Sequence, residues 1–186
     1  NRLVATLDGI KNRIHSLNWN YDGKTLNSID ISNFKANVKI WNAADDRLLT
    51  SYERTFFSFN EIVWSPWSPD GKSLAMTDCS IINVATGKLV IRFYRGGDYE
   101  NPVWSPDGKI IASISDDNTI RLLNVATGKF LKNLIGHSAY PFHIAWHPNS
   151  KILASSSKDK TIKLWDTTTG KLIATLIGYT DEFYAL

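Results

Sequence analysis

Two histidines and one cysteine are the side chains of this sequence that are best suited to metal binding or nucleophilic chemistry. His143 and His147 are separated by three residues, so both could project from one face of a strand toward a shared metal ion. No cysteine, aspartate or glutamate lies nearby in sequence to complete a ligand set, and a packing or turn role is therefore favoured. Cys79 has no nucleophile signature around it and is typical of a small buried apolar residue. We expect no metal ion and no cofactor.

Paired carboxylates are the other candidates for chemistry, since two close acids can serve as general acid and base. The three acidic doublets, Asp45–Asp46, Asp116–Asp117 and Asp181–Glu182, lie in connections between extended segments. Aspartate is common in such connections because it hydrogen-bonds to the local backbone. The segment NVATGK has one glycine and no serine or threonine after the lysine, so it is not a phosphate-binding loop. We predict that the chain is not an enzyme.

The charge pattern gives little reason to expect a polyanionic partner. The 186 residues hold 21 basic and 18 acidic side chains, which are spread along the whole chain. Lys158, Lys160 and Lys163 alternate as they would on an exposed turn and strand edge. The sequence also lacks a membrane-length apolar run, a signal-peptide pattern at NRLVATLDG, and a second cysteine. From the sequence we therefore expect neither nucleic-acid nor membrane binding, and a cytoplasmic location.

Internal repeats decide the architecture. NVATGK occurs at 83–88 and again at 124–129, with the related segments DTTTGK at 166–171 and NAADDR at 42–47. A tryptophan-led turn precedes each of them, in WNYDGK (19–24), WSPWSPDGK (64–72), WSPDGK (104–109) and WHPNSK (146–151). Each unit has four short runs rich in β-branched and aromatic residues, separated by Gly, Pro, Asn and Asp. The period of about 42 residues is that of four-stranded propeller blades.

The unit boundaries follow from these landmarks. We predict complete blades at 10–53, 54–95, 96–135 and 136–177, an outer strand of a preceding blade at 1–9, and the start of a further blade at 178–186. One four-stranded blade has two apolar faces and must stack on neighbours. Because partial units flank the four complete ones, we expect a partial propeller. Its ring would be completed by further blades of a longer chain or by another copy.

The fourth unit carries the most recognisable motifs, with GH at 136–137 and SSSKDKTIKLWD at 155–166. With the period, these segments resemble the WD-repeat family of β-propellers. The resemblance implies an all-β fold of four-stranded antiparallel blades around a central channel. It also implies a hydrogen-bonded set that fixes the blade, formed by His137, Ser155, Asp159 and Trp165. The other units depart from the set and would depend more on apolar packing.

The resemblance further implies a non-enzymatic scaffold or sensing module that binds protein or peptide partners through one ring face. By position, the candidate contact residues are Arg13, His15, Asp116, Tyr140, Phe142, Lys158, Glu182 and Tyr184. For Tyr140 and Phe142, packing between blades is an equal alternative. A propeller enzyme or small-ligand binder that uses the central channel is the alternative function, and a structural segment without its own partner is a third.

The doubled tripeptide in WSPWSPDGK is a three-residue insertion in the second unit. Taking Trp64 as the first-strand tryptophan, we predict that the insertion is looped out at the turn together with Trp67 and Pro69. Trp67 would then be exposed and available to a partner.

Overall fold

Short runs of β-branched and aromatic residues, closed by tight turns, form all the regular elements that the structure describes. The computed structural model describes residues 12, 14–20, 23–32, 35–55, 67–75, 80–93 and 99–177. Fifteen strands lie in this part of the chain. They are grouped into four antiparallel sheets, in each of which neighbouring strands are consecutive in sequence.

The first sheet comprises β1 (Ile14–Trp19), β2 (Thr25–Ser32), β3 (Lys35–Asn42) and β4 (Leu48–Thr55). The second comprises β5 (Ser73–Ala75), β6 (Ser80–Asn83) and β7 (Leu89–Arg92). The third comprises β8 (Tyr99–Trp104), β9 (Ile110–Ser115), β10 (Ile120–Asn124) and β11 (Phe130–Leu134). The fourth comprises β12 (Pro141–Trp146), β13 (Ile152–Ser157), β14 (Ile162–Asp166) and β15 (Leu172–Leu176). The predicted all-β fold of blade-like antiparallel sheets is confirmed, and it is that of a partial β-propeller.

The turn before the last strand of each sheet explains why NVATGK recurs. In the third sheet, the Gly128 N–H donates to the Asn124 carbonyl at 2.8 Å, and the Thr127 N–H donates to Asn124 Oδ1 at 2.9 Å. Gly128 has a φ of 66°, a left-handed conformation that glycine adopts without steric cost. In the diverged turn of the first sheet, Asp46 adopts a similar φ of 57°, which aspartate tolerates better than most residues.

The two ends of each sheet differ in the turns they carry. Because the strands alternate in direction, the first-to-second and third-to-fourth turns share one end, which we call the lower end. The second-to-third turns, such as those holding Asp117 and Asp159, lie at the opposite, upper end. The lower ends of adjacent sheets meet, since the Asp107 N–H donates to Ser150 Oγ at 3.1 Å. Gly108 similarly lies against Pro69 of the second sheet.

Each apolar layer between sheets contains a tryptophan that leads the following sheet. Trp104 is packed with Ala75 and Ile81 of the second sheet. Trp146 is partly buried against the third sheet and donates its indole N–H to the Val103 carbonyl at 3.1 Å. In contrast, Trp19 of the first sheet is 58% exposed. Trp104 and Trp146 therefore each fasten a sheet to the one before it.

The prediction for Trp67 was wrong, because this residue, and not Trp64, occupies the first-strand position of the second sheet. Trp67 pairs with Leu74, as Trp104 pairs with Ile111 and Trp146 with Leu153. It is 1% exposed and packs against the first sheet, so it is not available to a partner. The inserted triplet therefore precedes Trp67, and Trp64 lies outside the described residues.

The physical reason for this placement is that Trp67 heads an intact copy of the WSPDGK turn. Ser68 Oγ donates to Asp70 Oδ1 at 2.6 Å, and Ser105 Oγ donates to Asp107 Oδ1 at 2.7 Å in the third sheet. Keeping the turn intact also keeps a large indole in the apolar layer, where its burial stabilises the fold.

Candidate functional site

A chain of hydrogen bonds joins four side chains at the upper end of the fourth sheet. His137 precedes β12, Ser155 lies in β13, Asp159 lies in the turn after β13, and Trp165 lies in β14. His137 Nδ1 is 2.8 Å from Asp159 Oδ2, and His137 Nε2 is 2.7 Å from Ser155 Oγ. The Trp165 indole N–H donates to the same Ser155 oxygen at 2.8 Å. The structure thus brings together the four residues of the expected blade set.

The order of these groups is that of a Ser–His–Asp catalytic triad, in which the imidazole takes the proton of the serine hydroxyl. Asp159 accepts at His137 Nδ1, so the hydroxyl of Ser155 donates to Nε2. However, Ser155 is fully buried, and its oxygen already accepts from Trp165. A substrate carbonyl could not reach this oxygen. The arrangement therefore serves to satisfy buried polar groups and join β13, β14 and the loop before β12.

Asp159 is the best-satisfied member of the set. Its Oδ1 accepts from the Thr161 N–H at 3.0 Å and from Thr161 Oγ1 at 2.6 Å, while its Oδ2 also accepts from the Ser138 N–H at 3.0 Å. Burial alone would raise the pKa of Asp159, but the hydrogen bonds from Thr161, His137 and Ser138 lower this pKa to about 2. Burial lowers the pKa of His137 below its ordinary 6.5, and the hydrogen bond to Asp159 offsets only part of that effect.

These shifts predict that acid destabilises the fold. The pKa of Asp159 is lower in the fold than its ordinary 3.8, so its stabilising contribution is present above that value and is lost as the pH falls through about 2. The depressed pKa of His137 acts in the same direction, because below pH 6.5 the unfolded chain binds a proton that the fold disfavours. We expect the free energy of unfolding, measured by urea denaturation, to fall from pH 7 to pH 5 and further toward pH 3.

The His137→Gln variant should lose most of the change between pH 7 and pH 5, whereas His147→Gln, at an exposed turn, should retain it. Equal pH dependence in the two variants would contradict the assignment to His137.

The other sheets use different polar contacts at equivalent positions. In the first sheet, the Trp41 indole donates to Ser28 Oγ at 3.1 Å, and the buried Asp30 accepts from Asn12, Asn37 and Lys39 at 2.8, 2.9 and 3.0 Å. Burial opposes ionisation of Asp30, but these donors together lower its pKa. This cluster was not predicted from the sequence. No sequence pattern indicated it, because the pairing of Asp30 with Asn37 depends on the register of the β2–β3 hairpin.

In the third sheet, Asp117 takes the position of Asp159. It accepts from Thr119 Oγ1 at 2.6 Å and from an Arg121 guanidinium N–H at 3.0 Å. Burial would raise the pKa of Asp117, but these hydrogen bonds lower it to about 2. The carboxylate is 44% exposed, so the pair with Arg121 is weaker than its short distance suggests. Leu123 replaces the tryptophan and is buried in the apolar layer.

The predicted partner residues are only partly described. Tyr140 and Phe142 form an edge-to-face pair with ring centroids 6.0 Å apart at an interplanar angle of 69°. Both are half-buried, and Tyr140 packs against the apolar layer between the third and fourth sheets. Lys158 is exposed beside them, and its N–H donates to the Tyr140 carbonyl at 2.9 Å. Asp116 is exposed in the equivalent turn of the third sheet.

The structure does not describe the side chains of the remaining candidates. Arg13, Glu182 and Tyr184, like Cys79, are outside the described residues, and of His15 only the backbone, within β1, is described. Among the described residues, no group of three or more His, Cys, Asp or Glu side chains could hold a metal ion. His147 instead accepts the Asn149 N–H at its own turn, with a distance of 3.2 Å. No helix within the described ranges is long and apolar enough to cross a membrane.

Comparison with protein-family models agrees with these features. The model described as WD domain, G-beta repeat matches residues 103–124 and 128–166. The matched segments run from the end of β8 to the end of β14. They include Ser155, Asp159 and Trp165 of the hydrogen-bonded set, together with His137.

Proposed function

This chain belongs to the WD-repeat family, and from that premise we propose that it is a non-enzymatic scaffold that binds a protein or peptide at the upper end of its sheets. The repeats and the blade-like sheets support an interaction scaffold in general. The observation that carries the proposal is a contrast at the upper end of the fourth sheet. The Ser–His–Asp arrangement is sealed inside the sheet, whereas a half-buried aromatic pair and the exposed Lys158 lie next to it.

The accessible groups are of the kinds that bind proteins. Aromatic side chains anchor interfaces because they bury a large area and lose few rotatable bonds, and an exposed charge at the rim favours one partner over another. Ser157 Oγ donates to the Ala139 carbonyl at 2.7 Å, which fixes the loop that carries Tyr140. A partner would therefore meet a surface that is already ordered, and less free energy would be lost in ordering it.

We further propose that the ring continues beyond the first sheet. Trp19 occupies the position of Trp67 and Trp104, both of which are covered by the preceding sheet. It is 58% exposed and lines a cleft of about 550 Å³ together with Lys24, Thr25 and Ala43. A further blade, from a longer chain or from another copy, is the proposed occupant of this cleft.

We expect changes at the upper end to reduce partner recovery. In affinity purification from the native source, Phe142→Ala should reduce recovery of a bound partner about 30-fold, because anchor residues contribute about 2 kcal/mol or more. Phe142 is the better test residue because Tyr140 is also part of the core between sheets. Lys158→Glu should also reduce recovery.

Lys171→Glu, an equal charge change at an exposed position of the lower end, provides the control. A partner recovered equally by all of these variants would place binding elsewhere on the chain.

A further inference from the structure

Every sheet ends its third-to-fourth turn with a cation. These four residues are all exposed: Arg47, Lys88, Lys129 and Lys171. The backbone N–H of each donates to the turn side chain two residues earlier, as when Lys129 donates to Thr127 Oγ1 at 3.4 Å and Lys171 to Thr169 Oγ1 at 3.3 Å. The turn therefore fixes the backbone from which each charged side chain projects.

A second set of cations ends the first-to-second turns. These residues, also all exposed, are Lys24, Lys72, Lys109 and Lys151. The two turns of one sheet are joined by a backbone hydrogen bond, since the Val125 N–H donates to the Lys109 carbonyl at 3.0 Å. Equivalent bonds reach the carbonyls of Lys24, Lys72 and Lys151. Both cations of every sheet thus lie at its lower end, and the lower ends of neighbouring sheets are in contact.

Acidic residues do not balance this charge. Asp45 and Asp46 offset Lys24 and Arg47 in the first sheet, but in the lower-end turns of the second to fourth sheets six lysines face three carboxylates, those of Asp70, Asp107 and Asp166. The carboxylates accept hydrogen bonds from their own turns; for Asp166 these come from the Thr168 and Thr169 N–H groups at 2.8 and 2.9 Å. The Lys109–Asp107 ion pair is long, at 3.9 Å, and exposed, so it neutralises little of the field.

An apolar rim lies directly beside the cations. In all four sheets, the strand pairing skips the second residue of the last strand. In the fourth sheet, for example, Trp165 pairs with Leu172 and Leu164 pairs with Ala174, so Ile173 is skipped. These bulged residues are Leu49, Val90, Leu131 and Ile173, with exposures of 44, 58, 41 and 52%. A bulge changes the direction of a side chain relative to the sheet. Each blade therefore presents a cation followed by exposed apolar side chains.

We propose that the lower end docks on the surface of an anionic lipid bilayer. The lysines would contact acidic headgroups, and the apolar rim would enter the boundary between headgroups and acyl chains, as in other interfacial proteins. A membrane partner was not expected from the sequence, because the charges are spread along the chain. The fold instead gathers eight cations at one end of the sheets, where the six lysines of the second to fourth sheets exceed the carboxylates.

The form of this surface favours a bilayer over other polyanions. A plane can contact the lower ends of all four sheets, whereas a nucleic-acid duplex is a cylinder and would contact a strip. Apart from Trp67, Trp104 and Trp146, which pack between sheets, the lower-end turns of the second to fourth sheets contain no Trp, Tyr, Phe or Arg. They therefore lack the anchors typical of protein interfaces and the rings on which single-stranded bases stack.

Sedimentation of the chain with vesicles tests the proposal. We expect binding to mixed phosphatidylserine–phosphatidylcholine vesicles, none to pure phosphatidylcholine, and a strong decrease between about 0.1 M and about 1 M salt. Lys129→Gln with Lys171→Gln should weaken partitioning about 30-fold. Lys158→Gln with Lys160→Gln removes the same charge from the exposed upper end and should leave partitioning nearly unchanged.

A second pair of variants tests the apolar rim. Leu131→Ser with Ile173→Ser should weaken partitioning about tenfold. Ile135→Ser with Ile177→Ser, beyond the other ends of the same strands and 72% and 79% exposed, should not. Circular dichroism would verify that each variant folds. Absence of binding to the acidic vesicles, or equal losses in the lower-end and upper-end lysine variants, would overturn the proposal. So would binding to duplex DNA without binding to these vesicles.

Discussion

Replacing Trp67 with alanine is expected to lower the free energy of unfolding by about 3–5 kcal/mol, the range for buried tryptophans. Trp67 is 1% exposed and contacts the apolar cluster formed by Ile29, Val38 and Ile40 of the first sheet. Removing the indole would leave a cavity between two sheets, and the strands on either side could collapse into it only in part. Denaturation by urea, followed by circular dichroism, would measure the loss.

The matched control is Trp19→Ala, since Trp19 has the same position in the first sheet. Because it is 58% exposed, the expected loss is below about 1 kcal/mol in this chain. Similar losses for the two variants would mean that Trp67 does not fasten the second sheet to the first.

Replacing Asp159 with asparagine is the second large effect, with an expected loss of about 2–3 kcal/mol at pH 7. The two carboxylate oxygens of Asp159 accept four hydrogen bonds, from His137, Ser138 and Thr161. An asparagine NH₂ group would face donors at one of these positions, so at least one buried donor would lose its acceptor. The side chain of Asp159 is 6% exposed, so water could replace the lost bond only poorly.

Asp117→Asn tests whether burial and the histidine partner, and not the turn contacts, cause this effect. Asp117 makes the same turn contacts, to the N–H and hydroxyl of Thr119, but its carboxylate is 44% exposed and pairs with Arg121 instead of a histidine. We expect a loss below about 1 kcal/mol. Thermal denaturation of both variants would rank them, and an equal loss would show that the turn contacts, and not the imidazole, set the stability.

The sequence allowed the sheets to be predicted because they depend on local patterns, whereas the hydrogen-bonded set of the fourth blade was predicted from the resemblance to the WD-repeat family. Gly and Asx residues define the turns, and the period of the tryptophan-led turns defines the sheets. The position of Trp67 was missed because two copies of WSP satisfy the same local pattern. The discriminating signal was the seven-residue step from Trp67 to Leu74, which equals that from Trp104 to Ile111.

What could not be predicted depends on how separate segments meet in space. Lys72 and Lys88 are far apart in sequence, yet the backbone hydrogen bond between Val84 and Lys72 brings their turns to the same end of the sheet. The Asp30 cluster likewise joins Asn12 to two residues of β3. Such arrangements need the strand register, which one sequence specifies only indirectly.

The packing of the tryptophans also limits the symmetry of any assembly. One side of each sheet carries its first-strand tryptophan. The other side carries apolar residues of the middle strands that contact the tryptophan of the next sheet, as Ile29 and Val38 contact Trp67. Two such surfaces are unlike, so contact between copies through them is heterologous and cannot have two-fold symmetry. Copies that associate in this way form a closed ring when the rotations between successive copies add up to a full turn, and a filament when they do not.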